Sequence, residues 1–310
     1  MKSAKLQQIN LGNSGLLASP IALGCMRLSG LGEKDFSELI NKAIDLGINL
    51  FDHADIYGRG VSEEKFGNFL KKNKGIRNRI IIQTKCGIRS DYYDLSAEHI
   101  VNSLEKSLER LKTDYIDILL LHRPDALFQP EEIATAFTKL YRAGKVRYFG
   151  VSNMNVAQID LLKKHLQQRL IINQLQLSIV HAPIIDEILN FNMANDLSVN
   201  RSGGILDYAR LNNITVQAWS VLQASWKEGS FLDNPKYQRL NGELTLLSRK
   251  YKVSKAAIAV AWVLRHPAKI EPIVGTTSPI HLEQIMPAVN IQLERQEWYN
   301  LYLSVGKTLP

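Results

Sequence analysis

Eight short apolar or β-branched runs recur along the chain: Ile21–Gly24, Ile48–Phe51, Arg79–Thr84, Tyr115–Leu121, Val146–Val151, Ile171–Leu177, Ile214–Trp219 and Glu271–Gly275. Their length and richness in Ile, Val and Leu predict strands buried on both faces. Between most of them the apolar positions recur every three or four residues. Phe36, Leu39, Ile40, Ala43 and Ile44 form one such stripe, Ile100, Leu104, Leu108 and Leu111 a second, and Ile133, Ala136, Phe137 and Leu140 a third. That period predicts helices with one buried face. Eight strands alternating with helices over 310 residues predict an α/β fold of the (β/α)8 TIM-barrel type. A doubly wound sheet is the rival, but it would carry G-x-G-x-x-G after an early strand. Gly30-Leu31-Gly32 lacks the third glycine and has no buried strand before it.

The turn signal LGNSGL (11–16) predicts an N-terminal β-hairpin that plugs the bottom of the barrel. Two long connections, 178–201 and 220–235, are expected to rise at the C-terminal face, where barrels carry their substrate loops. No linker-like seam interrupts the pattern, so residues 1–310 are expected to form one barrel domain.

Composition narrows the function classes. The chain is 45% hydrophobic and 22% charged, as expected of a soluble protein with a large core. No apolar run reaches the ~18 residues of a membrane span, and the N-terminal stretch lacks the apolar segment of a signal peptide. Two cysteines, Cys25 and Cys86, cannot build a disulfide framework, so a cytoplasmic location is expected. The net charge of +8 suits an anionic ligand. Lys and Arg are scattered, however, and neither nucleic acid nor membrane is called for as a partner.

The candidate chemistry lies where strands end. FDHADIYG (51–58) places Asp52 at the end of the second strand and Tyr57 on the loop after it; Lys85 ends the third strand and His122 the fourth. Taken singly, each has a structural reading: a turn-capping Asp, a half-buried loop Tyr, a surface Lys, a core His. In a barrel, consecutive strand ends are neighbours, so the four converge on one rim. A phenol can give a proton to a developing alkoxide if a nearby cation stabilises its anion. A Lys paired with a carboxylate keeps its charge and supplies that cation.

With these residues in place, the chain resembles the aldo-keto reductase family and, from FDHADIYG through LLLHRPD, its bacterial oxidoreductase branch. GKVRYFGVSNMN, INQLQLS, VQAWSVL and PIVGTTSP extend the resemblance over nearly the whole length. The resemblance implies a hydride transfer from a nicotinamide cofactor to the carbonyl of an aldehyde or ketone. Tyr57 would be the proton donor, Lys85 held by Asp52 would lower its pKa, and His122 would orient the carbonyl. It also implies cofactor contacts. Ser152, Asn153 and Gln174 would hold the nicotinamide carboxamide, Trp219 would stack on its ring, and Ser220 and Leu222 would cover the pyrophosphate. Gly275, Thr276, Thr277 and His281 would surround the adenosine 2′-phosphate. There a frequent Lys is replaced by Gly275 and a frequent Arg by His281. NADP is the expected cofactor, with NAD the alternative. Ser278 is expected to cap a helix beginning at Pro279, leaving free N–H groups for an anion.

Met26, Tyr92, Phe128 and Trp226 are candidates for lining the substrate pocket, and His53 is given no catalytic role. Two rival functions remain open: a nicotinamide-sensing regulatory subunit of the same fold, and a metal-dependent barrel hydrolase using Asp52, His53, Asp55 and His122. The second lacks compact ligand spacing, and no metal is expected.

Overall fold

In a computed structural model, which describes residues 6–309, the chain opens with an antiparallel hairpin of β1 (Ile9–Asn10) and β2 (Leu17–Ala18). Eight parallel strands follow. They are β3 (Ala22–Gly24), β4 (Leu50–Asp52), β5 (Ile81–Cys86), β6 (Ile116–Leu121), β7 (Val146–Ser152), β8 (Leu170–Gln176), β9 (Thr215–Trp219) and, after the short antiparallel pair β10 (Gln223–Ser225) and β11 (Gly229–Ser230), β12 (Glu271–Val274). β12 pairs with both β9 and β3 and closes the barrel. Each of the eight predicted runs overlaps a barrel strand, and the hairpin is present.

Helices α1 (Glu33–Asp45), α2 (Val61–Lys72), α3 (Ala97–Leu111), α4 (Pro130–Arg142) and α5 (Val156–Lys163) alternate with the first strands. α6 (Pro183–Leu189) and α7 (Ile205–Leu211) lie between β8 and β9; α8 (Gln238–Tyr251) and α9 (Lys255–Leu264) lie between β11 and β12. α10 (Pro279–Ile285) and α11 (Arg295–Leu303) end the fold. The predicted stripes are the buried faces of α1, α3 and α4, apart from Ile44, which is only partly covered. The two long connections carry structure of their own. α6 occupies the first, and the β10–β11 pair occupies the second with Trp226 between its strands. Asp186 of α6 is tied to the C-terminal segment, accepting from Tyr302 Oη at 2.9 Å and Lys307 Nζ at 2.7 Å.

The core has two layers because strand side chains alternate between faces. Outward residues such as Ile82 and Leu119 pack against the helices. Inward residues such as Ala22, Leu50, Ile81, Ile118 and Ile172 fill the lower barrel, with Leu11 of the hairpin turn below them. The Gly12 N–H donates to Thr215 Oγ1 at 2.8 Å and fastens the plug to β9. Toward the C-terminal rim the inward positions turn polar: Asp52, Gln83 and Lys85, Gln174, Gln217 and Glu271 are all buried.

Candidate active site

The polar layer is built around Asp52. Lys85 Nζ donates to both carboxylate oxygens at 2.8 Å, to the His53 carbonyl at 2.8 Å and to Tyr57 Oη at 3.1 Å. Asp52 Oδ1 also accepts from Gln83 Nε2 at 2.5 Å and from Gln174 Nε2 at 3.1 Å. A buried ion pair is tolerable only when such hydrogen bonds complete it. Lys85 is fully buried beneath Asp52 and Tyr57 and does not itself reach the cleft. The His122 ring stands edge-on to Tyr57 at 6.0 Å between centroids. The four expected residues are therefore brought together on one rim.

The loop that carries Tyr57 is held from both sides. Gly58 follows with φ +58°, and a Cβ there would stand 2.4 Å from that of Ser29. Only glycine fits this left-handed, crowded position. Behind the loop, the carboxylate of Glu63 on α2 accepts from Thr84 Oγ1 at 2.6 Å and from Arg110 Nε at 2.8 Å. Gly67 on the same helix lets α2 lie against α3, since a Cβ would be 2.1 Å from the Arg110 carbonyl oxygen.

The electrostatics correct one expectation. Burial pushes the Tyr57 hydroxyl above its ordinary pKa, and the Lys85 ammonium pulls against that rise without reversing it. Tyr57 is thus held as a protonated phenol rather than a near-tyrosinate. Burial alone would drive the Lys85 ammonium down, but Asp52 and Tyr57 more than offset this and its pKa is raised. Burial, then Lys85 and Arg123, hold His122 well below the ordinary imidazole range, so it is neutral. Its Nδ1 has no partner among the described residues.

A cleft of about 940 Å3 opens over Asp52, Tyr57 and His122. Ser152, Asn153, Gln174, Trp219, Ser220, Leu222, Gly275, Thr276 and His281 also line it, but Thr277 does not; its side chain faces solvent. Asn153 and Ser220 adopt φ of +58°, so each turns the chain sharply after its strand. Ser152 Oγ donates to the main-chain carbonyl of Gln174 at 2.9 Å, Asn153 Nδ2 donates to Ser152 Oγ at 2.8 Å, and Trp219 Nε1 donates to Asn153 Oδ1 at 3.3 Å. These bonds fix the indole at the cleft wall. Met26 and Trp226 line the cleft as expected, whereas Tyr92 and Phe128 lie away from it.

At the far end the expected anion site is thinner than the sequence implied. Ser278 does cap α10, and its Oγ accepts the His281 N–H at 3.3 Å. That N–H is therefore spent, and Pro279 has none. Arg27, which sequence reasoning overlooked, supplies charge instead: Nη1 donates to the Gly275 carbonyl at 3.1 Å, and the guanidinium lines the cleft. Lys255, also at the cleft, is paired with Asp233. Arg123, another overlooked cation, lies 5.7 Å from the Trp219 ring. Arg123 lies within LLLHRPD and Arg27 follows the candidate pocket residue Met26, and those positions were the available signal.

The metal-hydrolase set does not assemble. Asp52 is committed to Lys85 and two glutamines, and the fully buried His53 packs edge-on against Phe66 at 4.6 Å. No group of three His, Cys, Asp or Glu side chains among the described residues could hold a metal ion. No helix among them is long and apolar enough to cross a membrane.

Residues 20–302 match the model of the Aldo/keto reductase family. The chain belongs to the aldo/keto reductases. This aldo/keto reductase is 36% identical to the uncharacterized oxidoreductase YcsN of Bacillus subtilis, over 98% of the chain and all of that protein. It is 35% identical to a 6-dehydroglucose reductase of Agrobacterium fabrum, over 86% of the chain and 87% of that protein. Among solved structures, the thermostable aldo-keto reductase Tm1743, in complex with the inhibitor epalrestat, superposes with a TM-score of 0.79 at 25% identity, covering 96% of this chain and all of that one. The bacterial oxidoreductase resemblance and the barrel are thus both shown.

Proposed function

We propose that this protein reduces the carbonyl of a small aldehyde or ketone with NADPH, and that Tyr57 gives the carbonyl oxygen its proton. The observation that carries the reading is the Asp52–Lys85–Tyr57 chain at the floor of an open cleft, with Tyr57 Oη 3.1 Å from a fully buried ammonium. The nicotinamide, when bound, supplies the hydride, which no side chain can. The side chains fit such a group. Both N–H bonds of the Gln174 amide are engaged, with Asp52 and Gln217, so its carbonyl oxygen is left to accept from a carboxamide. The face of Trp219 offers a stacking platform. Arg27, whose guanidinium lines the cleft on the Gly275 carbonyl, can offer a 2′-phosphate a permanent positive charge. This supports NADPH over NADH.

A protonated Tyr57 is the form that reduction requires. As its proton leaves, negative charge grows on Oη, and the Lys85 ammonium already in place stabilises it without reorganisation. Asp52 keeps that ammonium charged and aimed. His122, neutral, can donate an N–H to the carbonyl oxygen and fix its direction without competing as an acid. The apolar walls, Met26, Ile56 and the two tryptophans, lower the polarity around the reacting pair.

The test is fluorescence titration with NADPH and NADH, followed by turnover on an aldehyde and ketone panel. Tight NADPH binding with aldehyde-dependent oxidation is the expected result. Binding without turnover on any carbonyl would instead mark a nicotinamide-sensing subunit.

A further inference from the structure

Below the tetrad lies a buried hydrogen-bond chain whose direction is dictated by chemistry. Asp52 Oδ1 can only accept, so Gln83 and Gln174 must each turn Nε2 toward it. Their second N–H bonds both go to Gln217 Oε1, at 2.9 and 3.1 Å. Gln217 must then point its own Nε2 the opposite way. There it needs an acceptor, and Glu271 Oε2 accepts from it at 2.8 Å. Glu271 is fully buried on β12, directly beside Gln217 in the strand register.

We infer that Glu271 is a positioning residue for the reaction: by accepting the Gln217 N–H it completes the chain that begins at Asp52 and holds Gln217 against the amides of Gln83 and Gln174, which in turn hold Asp52 and leave the Gln174 oxygen free for the cleft. Two buried oxygens of the network have no partner among the described residues, Glu271 Oε1 and Gln83 Oε1. A buried carboxylate oxygen without a donor is costly to keep charged, and a proton on Glu271 removes that charge. Burial favours that proton, the Gln217 N–H opposes it, and the Asp52 charge favours it further, so the carboxyl is pushed up to about 8. Asp52 is the charged group facing Glu271, with Lys85 beyond it. β9 contributes the uncharged Thr215 and Gln217, β3 the uncharged Ala22 and Gly24, and β8 Gln174. The buried residues of α9, on the outer face of β12, are all uncharged. Once ionised, Glu271 places a second negative charge below Asp52 and makes a tyrosinate harder to form.

The sign for stability follows from the same shift. The native pKa of about 8 lies above the unfolded value of 4.5. Glu271 therefore contributes stability that is full below the unfolded value and is lost as pH rises through about 8.

The test compares wild type with Glu271→Gln and Glu271→Leu in the full chain. Infrared difference spectra of wild type against E271Q should show a protonated carboxyl band at pH 7 that fades as pH rises through about 8. Thermal midpoints of wild type should fall across that range more than those of E271Q. With NADPH and an aldehyde, E271Q, which retains the acceptor, should stay within about threefold of wild type at pH 7 and lose the alkaline decline. E271L should bind NADPH roughly tenfold more weakly by quenching of tryptophan fluorescence, about the worth of one net hydrogen bond. Absence of the carboxyl band, an unchanged alkaline decline in E271Q, or wild-type NADPH affinity in E271L would each overturn the proposal. Should E271L fail to fold, the E271Q comparison decides alone. The activity arm rests on the carbonyl-reduction reading; the infrared and thermal arms do not, so failure of one is distinguishable from failure of the other.

Discussion

Replacing Lys85 with Met separates the two jobs of the buried ammonium. Nζ bonds both oxygens of Asp52 and stands 3.1 Å from Tyr57 Oη. At that distance and an effective permittivity of about 20, its attraction for a full phenolate charge is about 5 kcal/mol. Asp52 stays behind in the single variant, so the whole attraction is lost, about 10³–10⁴-fold in rate; in the native pair the Asp52 charge offsets about half of it. The same substitution strands a carboxylate in the barrel, which costs about 3–5 kcal/mol of stability. Asp52→Asn on top of Lys85→Met removes that stranded charge. The double variant should therefore regain much of the lost stability in urea denaturation but stay roughly a hundredfold below wild type in kcat for NADPH oxidation with an aldehyde, the net effect of removing both charges. Recovery of the wild-type rate along with stability would refute the reasoning, because it would mean that Lys85 matters only through the fold. An unchanged kcat in Lys85→Met would refute it equally.

Three further outcomes follow from the geometry. Arg27→Ala should weaken NADPH binding by roughly threefold to tenfold, about the worth of one partly exposed charge-assisted hydrogen bond, and leave NADH binding nearly unchanged in paired titrations. Gly67→Ala forces a Cβ against the Arg110 carbonyl oxygen and should lower stability by about 1–3 kcal/mol, read as a lower thermal midpoint with little change in KM. Treatment with a chelator should leave turnover untouched, since Asp52 is fully engaged by Lys85 and two amides; loss of activity would point back to a metal-dependent reaction.

The strands were legible because parallel barrel strands are covered on both faces and read as continuous apolar runs. The turn LGNSGL was legible because a hairpin turn has a composition of its own. The site motifs stood at strand ends, where topology alone makes Asp52, Lys85 and His122 neighbours. What escaped notice depends on which way a side chain faces. Gln83, Gln217 and Glu271 sit inside apolar runs, and only the two-residue alternation Ile81–Gln83–Lys85 or Thr215–Gln217–Trp219 would have turned them into the barrel. Arg27 and Arg123 come to the cleft by side-chain reach. Thr277 was expected at the cleft on motif grounds, but the loop turns it to solvent. The rise of the Tyr57 pKa was missed because the cation was counted and the burial of the phenol was not.

Tyr57→Phe tests the central claim most directly, because it removes one oxygen and leaves the ring. If Tyr57 is the proton donor, NADPH-dependent aldehyde reduction should fall by roughly 10²–10⁴-fold, with NADPH affinity held within about threefold by fluorescence. A Tyr57→Phe protein that binds NADPH normally and reduces the aldehyde at the wild-type rate would contradict it.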